Sequence, residues 1–343
     1  MSEVVPTTPP PASVSDVLVT GGAGFIGSHL VDLLLERPGG RVTVLDRLST
    51  GGTRANLEQH ESDPRFRFVE GDVGDRALVR SLVTGSTAVV HAAAESHVDR
   101  SIDDPGGFVA TNVVGTEVVL DACRAAEARM LMVSTDEVYG PGDPGGGLFA
   151  EDHPVSPRSP YSASKAAADL LCQAYVATYE MNVTIVRGTN AYGPRQIERV
   201  VPTYAIAALE GRAIPVYGRG EQRREFLHVR DWAEAALVVL ERGRPGVIYN
   251  IGAGHELSNL ELARAVCAAA GAPESLIRFV ADRPGHDFRY GVAADRLMAL
   301  GWRPRIPFDE GLRDTVAWYG DRLEWLRRAH PGPIVTEPRE ASV

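Results

Sequence analysis

Short runs of β-branched and other apolar residues alternate with longer amphipathic stretches along the first half of the chain. The short runs predict strands at 16–20, 42–46, 66–69, 87–91, 130–134 and 183–187. The stretches between them predict helices at 26–37, 75–84, 108–127 and 161–180. Alternation of this kind is typical of βαβ units, so the pattern predicts an α/β protein with a parallel sheet.

The second half has a less regular pattern, with helices expected near 200–210, 230–241, 258–270 and 309–328. We therefore predict two domains. The first is a Rossmann-type domain with a doubly wound parallel sheet at 14–190, which also uses elements of 226–255. The second is a smaller C-terminal substrate-binding domain, mainly at 191–330. The Pro/Thr/Ser-rich segment 1–13 is expected to be a disordered tail and 331–343 a loosely ordered one.

Composition narrows the class of protein. The 343 residues carry a formal net charge of -10, which argues against nucleic acid or an anionic membrane surface as the main partner. No apolar run approaches the ~20 residues that span a bilayer, and the N-terminus lacks the features of a signal peptide.

Cys123, Cys172 and Cys267 have no paired spacing, which is typical of reduced thiols and favours the cytoplasm. The nine histidines show no metal-ligand spacing, so no metal is predicted.

A glycine-rich turn follows the first predicted strand. Gly21, Gly24 and Gly27 open the first predicted helix, where glycine lets the backbone approach a pyrophosphate at a helix N-terminus. Asp46 ends the second predicted strand, 19 residues after Gly27, where a carboxylate can accept hydrogen bonds from an adenosine ribose. Because this acid would repel a 2′-phosphate, the pattern favours NAD over NADP, although Arg47 directly follows it.

Lysine occurs only once in the chain, at Lys165, among 35 basic residues. It lies four residues after Tyr161, hence on the same face of a helix that Pro160 starts. A phenol is a poor base at neutral pH, but a nearby ammonium favours its phenolate. Tyr161 could then take a proton from an alcohol while a hydride leaves. A planar guanidinium could not imitate the compact ammonium, which explains why this one lysine persists in an arginine-rich chain.

A polar segment, Ser134-Thr135-Asp136-Glu137, follows the predicted strand at 130–134. The carboxyl ends of parallel strands are where open α/β sheets bind ligands. Two adjacent carboxyl groups in a closed site push their proton affinities apart, so one can act as an acid and the other as a base. The segment is therefore a candidate acid/base pair.

Five motifs resemble the extended short-chain dehydrogenase/reductase superfamily and, within it, the dTDP-glucose 4,6-dehydratases. They are TGGAGFIGSHL (20–30), HAAAESHVDRSI (91–102), STDEVYG (134–140), PYSASKAAAD (160–169) and DRPGHD (282–287). The similarity runs from about residue 16 to 325. The pairing of Thr with Asp-Glu is its most diagnostic part, because related nucleotide-sugar epimerases and decarboxylases generally lack the Asp-Glu pair.

The resemblance implies a reaction in which Tyr161, helped by Thr135 and Lys165, removes the C4 hydroxyl proton of an NDP-glucose while hydride passes to NAD. Glu137 then removes the C5 hydrogen, and Asp136 protonates the departing C6 hydroxyl. The hydride then returns to C6 and C5 is reprotonated, which gives a 4-keto-6-deoxy sugar nucleotide. Because the cycle is redox-neutral, NAD can stay tightly bound.

The resemblance also implies contacts and assembly. The cofactor contacts are Gly21, Gly24, Phe25, Ile26, Gly27, Asp46, Asp72, Val73, Ala92, Ala94, Thr111, Tyr161 and Lys165. The nucleotide-sugar contacts are Ser96, Asn190, Arg199, Arg224, Asn259, Arg283 and His286. A homodimer is expected, with the helices 108–127 and 161–180 pairing as a four-helix interface.

The loop 190–202 departs from the dehydratase pattern. Ala191 stands where a second asparagine is usual, Arg199 where lysine is usual, and the loop is shorter. The segment looks more like nucleotide-sugar decarboxylases and epimerases, so the base of the substrate, thymine or uracil, stays open. A 4-epimerase or UDP-glucuronate decarboxylase is the alternative enzyme. A non-catalytic NAD-binding regulatory protein is a remote one, since such proteins often lose the pair formed by Tyr161 and Lys165.

Overall fold

The computed structural model describes residues 15–49, 51–142, 145–282, 288–330 and 334–335. Its strands are β1 (Val17–Thr20), β2 (Val42–Asp46), β3 (Phe66–Glu70), β4 (Ala88–His91), β5 (Arg129–Thr135), β6 (Val183–Gly188), β7 (Asn190–Tyr192), β8 (Ile214–Tyr217), β9 (Arg223–His228), β10 (Ile248–Ile251), β11 (Glu256–Ser258), β12 (Ile277–Val280) and β13 (Arg289–Tyr290). Its α-helices are α1 (Phe25–Glu36), α2 (Arg76–Val83), α3 (Val98–Asp103), α4 (Pro105–Phe108), α5 (Gly115–Ala126), α6 (Pro160–Tyr179), α7 (Val200–Leu209), α8 (Val229–Arg242), α9 (Asn259–Ala270), α10 (Asp295–Ala299) and α11 (Phe308–Ala329). Short 3₁₀ turns occupy Arg54–His60, Asp136–Tyr139 and Glu274–Leu276.

Seven strands form one parallel sheet in the order β10-β6-β5-β4-β1-β2-β3. The chain runs outward from β1 to β3 and then returns to place β4 on the other side of β1. This reversal is the point at which open α/β sheets bind ligands. The predicted Rossmann-type doubly wound fold is confirmed.

Helices cover both faces of this sheet. Val17 and Val19 of β1 pack into a core that includes residues of α1 and α8, whereas Leu18 between them packs into a core shared with α2, α5 and α6. Successive side chains of a strand point to opposite faces, so a strand covered on both sides is apolar throughout. All four residues of β1 are accordingly buried.

The C-terminal half builds a second layer beside the carboxyl edge of the large sheet. There, β9 pairs with β7, β11 and β13, and β8 pairs with β12. In contrast, α8 packs on α1, and β10 joins the large sheet beside β6. The predicted tail 1–13 and most of 331–343 lie outside the described residues. None of the helices described is both long and apolar enough to span a membrane.

The segment predicted as one helix at 108–127 is divided in the structure. A π-helical turn, Val109–Val114, separates α4 from α5. Within it, the Asn112 side chain donates to the Glu95 carbonyl (3.0 Å) and to the Ser164 hydroxyl (2.9 Å). Such turns are frequent at functional sites because they re-aim side chains that a regular helix would direct elsewhere.

A buried ion pair joins α6 to β6. The Arg187 Nε atom lies 2.9 Å from Asp169 Oδ2, and the two side chains are 3% and 0% exposed. The Arg187 guanidinium also lies over the Tyr139 ring, 4.8 Å from its centre. Removing one partner of such a pair leaves a buried charge without compensation.

We therefore expect Asp169→Ala to lower the free energy of unfolding by about 3–5 kcal/mol, measured by urea denaturation at fixed protein concentration. Glu61→Ala serves as the control, because the Glu61–Arg54 pair is 48% and 60% exposed and should change stability by less than about 1 kcal/mol. Equal small losses in both variants would contradict the argument.

Candidate active site

The glycine-rich turn joins β1 to α1 at the switch point of the sheet. Gly21 has φ +71°, and a side chain on it would lie 2.6 Å from the Ala93 nitrogen, so only glycine fits. Gly24 is the N-cap of α1 and makes no side-chain cap. The first-turn N–H groups of α1 therefore remain available for an anion.

Asp46 is 8% exposed and is held by the backbone of the turn beside it. Its carboxylate accepts hydrogen bonds from Ala23 N (2.9 Å) and Leu48 N (2.8 Å). Burial raises the pKa of Asp46, and these two bonds oppose the shift. Arg47 next to it donates to Asp72 (2.8 Å) and to Glu95. With its guanidinium committed to two carboxylates, Arg47 no longer weakens the preference for NAD.

The end of β5 turns directly into the 3₁₀ turn that carries the acid pair. Thr135 caps this turn, accepting from Glu137 N at 3.2 Å and donating to Asp136 Oδ1 at 3.3 Å. Asp136 is 3% exposed. Burial raises its pKa well above the usual range, and the charges of Glu137 and Glu225 raise it further. The two adjacent acids thus occupy different environments, as an acid/base pair requires.

Tyr161 lies in the first turn of α6. Ser159 and Ser162 form a capping box there, with reciprocal bonds of 3.1 and 3.0 Å. Burial raises the pKa of the Tyr161 phenol, as does the charge of Glu137, while Arg199 and a hydrogen bond with Thr135 lower it. The phenol, its threonine partner and both carboxyl groups are therefore close enough to interact.

Lys165 is buried one helical turn further along α6. Its Nζ atom donates to the Val133 carbonyl at 2.7 Å. Burial lowers the pKa of Lys165 to about 8, and Asp169 opposes that shift. The sequence predicts that this ammonium supports the Tyr161 phenolate, and the charge of Arg199 is a further one that lowers the pKa of Tyr161.

Arg199 reaches the site from the N-cap of α7. Its guanidinium lies 2.7 Å from Nδ1 of His97 and also donates to the Ser96 carbonyl. Burial lowers the pKa of Arg199, whereas the charges of Tyr161 and Glu137 raise it. Burial together with the charge of Arg199 lowers the pKa of His97 to about 2, so the ring stays neutral. Arg199 thus faces the reacting groups as well as the predicted substrate space.

One cleft brings together most of the site residues predicted from the sequence. Those that line it are Gly21, Gly24, Phe25, Ile26, Gly27, Asp46, Val73, Ala92, Ala94, Ser96, Thr111, Thr135, Asp136, Glu137, Tyr161, Lys165, Asn190 and Arg199.

Three predicted residues do not line this cleft. Asp72 accepts from Gly74 N (2.7 Å) and pairs with Arg47, which does line it. Arg224 lies over the Tyr290 ring at 4.7 Å, and its charge lowers the pKa of Asp136. Asn259 begins α9. Arg283 and His286 lie outside the described residues.

The cleft also contains residues that the sequence did not indicate. Gln196 donates to the Ala191 carbonyl at 2.8 Å, and its buried Oε1 atom has no partner among the residues described. Arg195 also lines the cleft and is anchored to Asp32 of α1 at 2.7 Å, across 163 sequence positions. No local pattern signals such a contact, because the two residues meet only after the two halves pack.

The described residues contain no group of three or more His, Cys, Asp or Glu side chains that could hold a metal ion. The cleft contains a phenol, an ammonium, a guanidinium and carboxyl groups. Groups of these kinds can transfer protons to and from alcohols and carbon atoms next to carbonyl groups.

Comparison with known proteins agrees with this fold. The profile described as "NAD dependent epimerase/dehydratase family" matches residues 17–252. A dTDP-glucose 4,6-dehydratase of an Actinoplanes species is 48% identical over 318 residues, which cover 90% of this chain and 99% of the relative. The crystal structure of DesIV is also similar. DesIV is the dTDP-glucose 4,6-dehydratase of Streptomyces venezuelae, and its structure was solved with NAD bound. It superposes with a TM-score of 0.88 and is 45% identical, and the match covers 92% of this chain and 100% of DesIV. A UDP-glucose 4-epimerase of Thermus thermophilus is more distant, at 36% identity and a TM-score of 0.81 over 89% of this chain and 98% of that one.

The burial of Lys165 beside the Val133 carbonyl allows its role to be tested. Lys165→Arg keeps the positive charge but places a planar, larger group against the Val133 carbonyl. We expect reduction of the nicotinamide on addition of substrate to slow by about 10²- to 10⁴-fold, measured by stopped-flow absorbance. Arg80→Lys on the exposed side of α2 is the control for an Arg/Lys exchange. A Lys165→Arg variant with the wild-type rate would show that the lysine is only structural.

Proposed function

This chain belongs to the NAD dependent epimerase/dehydratase family, and we propose that it is a hydro-lyase that converts dTDP-glucose to the dTDP-4-keto-6-deoxy sugar and water. The observation that carries the proposal is that Thr135, Asp136, Glu137 and Tyr161 line one cleft, with Thr135 and Asp136 buried. An enzyme that only oxidises and reduces C4 needs the tyrosine and threonine. Loss of water from C5 and C6 needs an additional base and an additional acid.

The residues of the cleft fit NAD. The glycine turn gives a backbone cradle at Gly21 and an open helix N-terminus at Gly24, suited to a pyrophosphate. Asp46 and Lys165 lie in the same cleft, where they can meet ribose hydroxyls. When bound, NAD supplies a hydride acceptor for C4 and later a hydride donor for C6.

Tyr161 begins the reaction by accepting the proton of the C4 hydroxyl. A buried phenol is a weak base unless a nearby positive charge stabilises its phenolate. Arg199 supplies such a charge in this cleft, and the Thr135 hydroxyl adds a hydrogen bond. Both interactions favour the ionised form of the phenol and oppose the effect of burial.

Glu137 and Asp136 then complete the elimination. The new C4 ketone acidifies the C5 hydrogen, and Glu137 accepts that proton. The C6–O bond breaks as Asp136 gives its proton to the departing hydroxyl, so that one molecule of water forms. Burial keeps the proton on Asp136 until this step because it raises the pKa of the carboxyl well above the usual range.

The direct test is incubation of the purified chain with dTDP-glucose or UDP-glucose, followed by mass spectrometry. We expect dTDP-glucose to lose one molecule of water and UDP-glucose to react more slowly. Formation of the C4 epimer without loss of water would favour the alternative 4-epimerase. Failure with every NDP-hexose would overturn the proposal.

Glu137→Gln separates a dehydratase from an epimerase. In a dehydratase the variant should oxidise C4 but stall before elimination, so that reduced nicotinamide accumulates and product formation falls by about 10²- to 10⁴-fold. Absorbance of the reduced nicotinamide and mass spectrometry measure the two effects. Glu117→Gln, in an exposed pair with Arg76, is the control. An unchanged turnover would remove Glu137 from the mechanism.

We also propose that two copies of the chain associate through α6 and the segment that precedes α5. The outward face of α6 carries Ala163, Leu170, Ala174 and Ala177 and no charged side chain. Leu170 is 54% exposed, and Val109 and Val114 in the π-helical turn are 51% and 49% exposed. An apolar helix face of this kind is stabilised when a second copy covers it.

Leu170→Arg should therefore dissociate the dimer, because it places a charge at the centre of the proposed interface. Light scattering after gel filtration at micromolar concentration should give the mass of one chain for the variant and two for the wild type. Phe279→Arg is the matched control, since Phe279 is 59% exposed but lies in β12. A monomeric wild type would contradict the proposed interface.

A cytoplasmic location is part of the same proposal. Cys123, Cys172 and Cys267 are free and buried, as expected for a reducing compartment. Burial raises the pKa of the Cys123 thiol to about 12, so this group is inert.

A further inference from the structure

The loop 193–199, which joins β7 to α7 and carries Arg199 to the cleft, has an unusual backbone. Arg195 and Glu198 have φ +71° and +51°, in the left-handed region. Residues other than glycine seldom adopt this region, because their Cβ atom comes too close to the backbone. Of the other three non-glycine residues with positive φ in the described chain, two end α5 and α6. Two strained residues within one short loop persist only if their surroundings hold them there.

Arg195 is held by α1, the helix that begins at the glycine-rich turn. Its guanidinium donates to Asp32 Oδ2 at 2.7 Å, and the two side chains are 17% and 15% exposed. The other oxygen of this carboxylate accepts from His60 Nε2 at 2.6 Å. Burial acts to raise the pKa of Asp32, but His60 and Arg195 together lower it to about 2, so the group is ionised. From the same helix, His29 Nε2 donates to the Pro194 carbonyl at 3.0 Å.

Glu198 is held by α3. One nitrogen of the Arg100 guanidinium donates to both of its carboxylate oxygens, at 2.8 Å each, and the Glu198 side chain is only 12% exposed. The backbone N–H of Glu198 donates to the Ile334 carbonyl at 3.1 Å. Because Glu198 directly precedes Arg199, these contacts fix the point from which the Arg199 side chain enters the cleft, where it reaches His97 Nδ1 at 2.7 Å.

We propose that Glu198 and Arg195 are positioning residues that act through Arg199. Their ion pairs with the N-terminal half hold the loop 193–199 in a strained backbone conformation. This conformation directs the Arg199 guanidinium into the cleft, where it binds the sugar nucleotide. Glu198 and its partner Arg100 are not among the described residues that line the cleft, so this pair acts on the substrate only through the loop.

The inference rests on the proposed function, because Arg199 contacts a sugar nucleotide only if the cleft binds one. If an ion pair is lost, fewer free molecules have the loop in its binding conformation, and the apparent affinity falls by that fraction. Bound substrate then holds the loop in place, so Arg199 still acts on Tyr161 at saturation. Loss of an ion pair should therefore raise KM and leave kcat nearly unchanged.

Glu198→Ala and Glu198→Gly separate the ion pair from the backbone strain. Both remove the carboxylate, but alanine keeps a Cβ atom at φ +51°, whereas glycine adopts this φ freely. We expect the KM for dTDP-glucose to rise about tenfold in Glu198→Ala and about threefold in Glu198→Gly, with kcat within about twofold of wild type. Arg100→Gln leaves the loop sequence unchanged and should raise KM about as much as Glu198→Ala.

Glu36→Gln is the matched control. Glu36 also lies on α1 and pairs with an arginine of the C-terminal half, Arg230 at 2.6 Å, but the two side chains are 50% and 45% exposed. Its KM should equal that of wild type. A KM in Glu198→Gly that equals or exceeds that of Glu198→Ala would overturn the proposal, as would a fall in kcat larger than the rise in KM.

Hydrogen exchange followed by mass spectrometry tests the same ion pairs without turnover. In Arg100→Gln and in Asp32→Asn, without substrate, the peptide that covers 193–199 should exchange about tenfold faster than in wild type and in Glu36→Gln. Unchanged exchange in both variants would also overturn the proposal. If wild type dehydrates no sugar nucleotide, the proposed function fails, and the exchange rates still decide whether the ion pairs hold the loop.

Discussion

Parallel pairing of the strands is the constraint from which the rest of this structure follows. Since β1, β4, β5 and β6 run in one direction, the residues that follow them emerge at one edge of the sheet. The glycine turn follows β1, Ala92–Ala94 follow β4, and the acid pair follows β5. Residues that are more than a hundred positions apart thereby line one cleft. A parallel sheet needs helical crossovers, and α6 is the crossover that brings Tyr161 and Lys165 to that edge.

Burial of the carboxyl, phenol and ammonium groups of the cleft separates their proton affinities. Burial raises the pKa of Asp136 and of Tyr161 and lowers that of Lys165. Neighbouring charges then modify each value: Arg199 acts on Tyr161, Glu225 on Asp136, and Asp169 on Lys165. The Asp136 carboxyl group in water would lose its proton well below neutral pH and would then not serve as an acid, whereas burial of the Tyr161 phenol acts against its ionisation and is opposed by Arg199 and Thr135.

The C-terminal half contributes several side chains to the cleft, one of them the positively charged Arg199. The segment 190–199 departs from the usual dehydratase pattern, yet it brings Arg199 to the reacting groups and Gln196 into the cleft. Its path depends on Arg195, which has φ +71° and is anchored by Asp32 of α1. The departure at Arg199 therefore lies beside the reacting groups, and the departure at Ala191 lies in the same cleft.

The sequence by itself determined the features that depend on neighbours along the chain. Six of the seven strands of the large sheet, the glycine turn, the helix start at Pro160, the i, i+4 spacing of Tyr161 and Lys165, and the acid pair after a strand all follow from local pattern; β10 does not. The family resemblance supplied the substrate and the roles. Only the tertiary structure decided that the predicted helix 108–127 is interrupted, that Arg199 adds a positive charge near Tyr161, and that Arg195 is anchored to Asp32. Those contacts join residues that are distant in sequence, and their energies depend on burial, which no local pattern encodes.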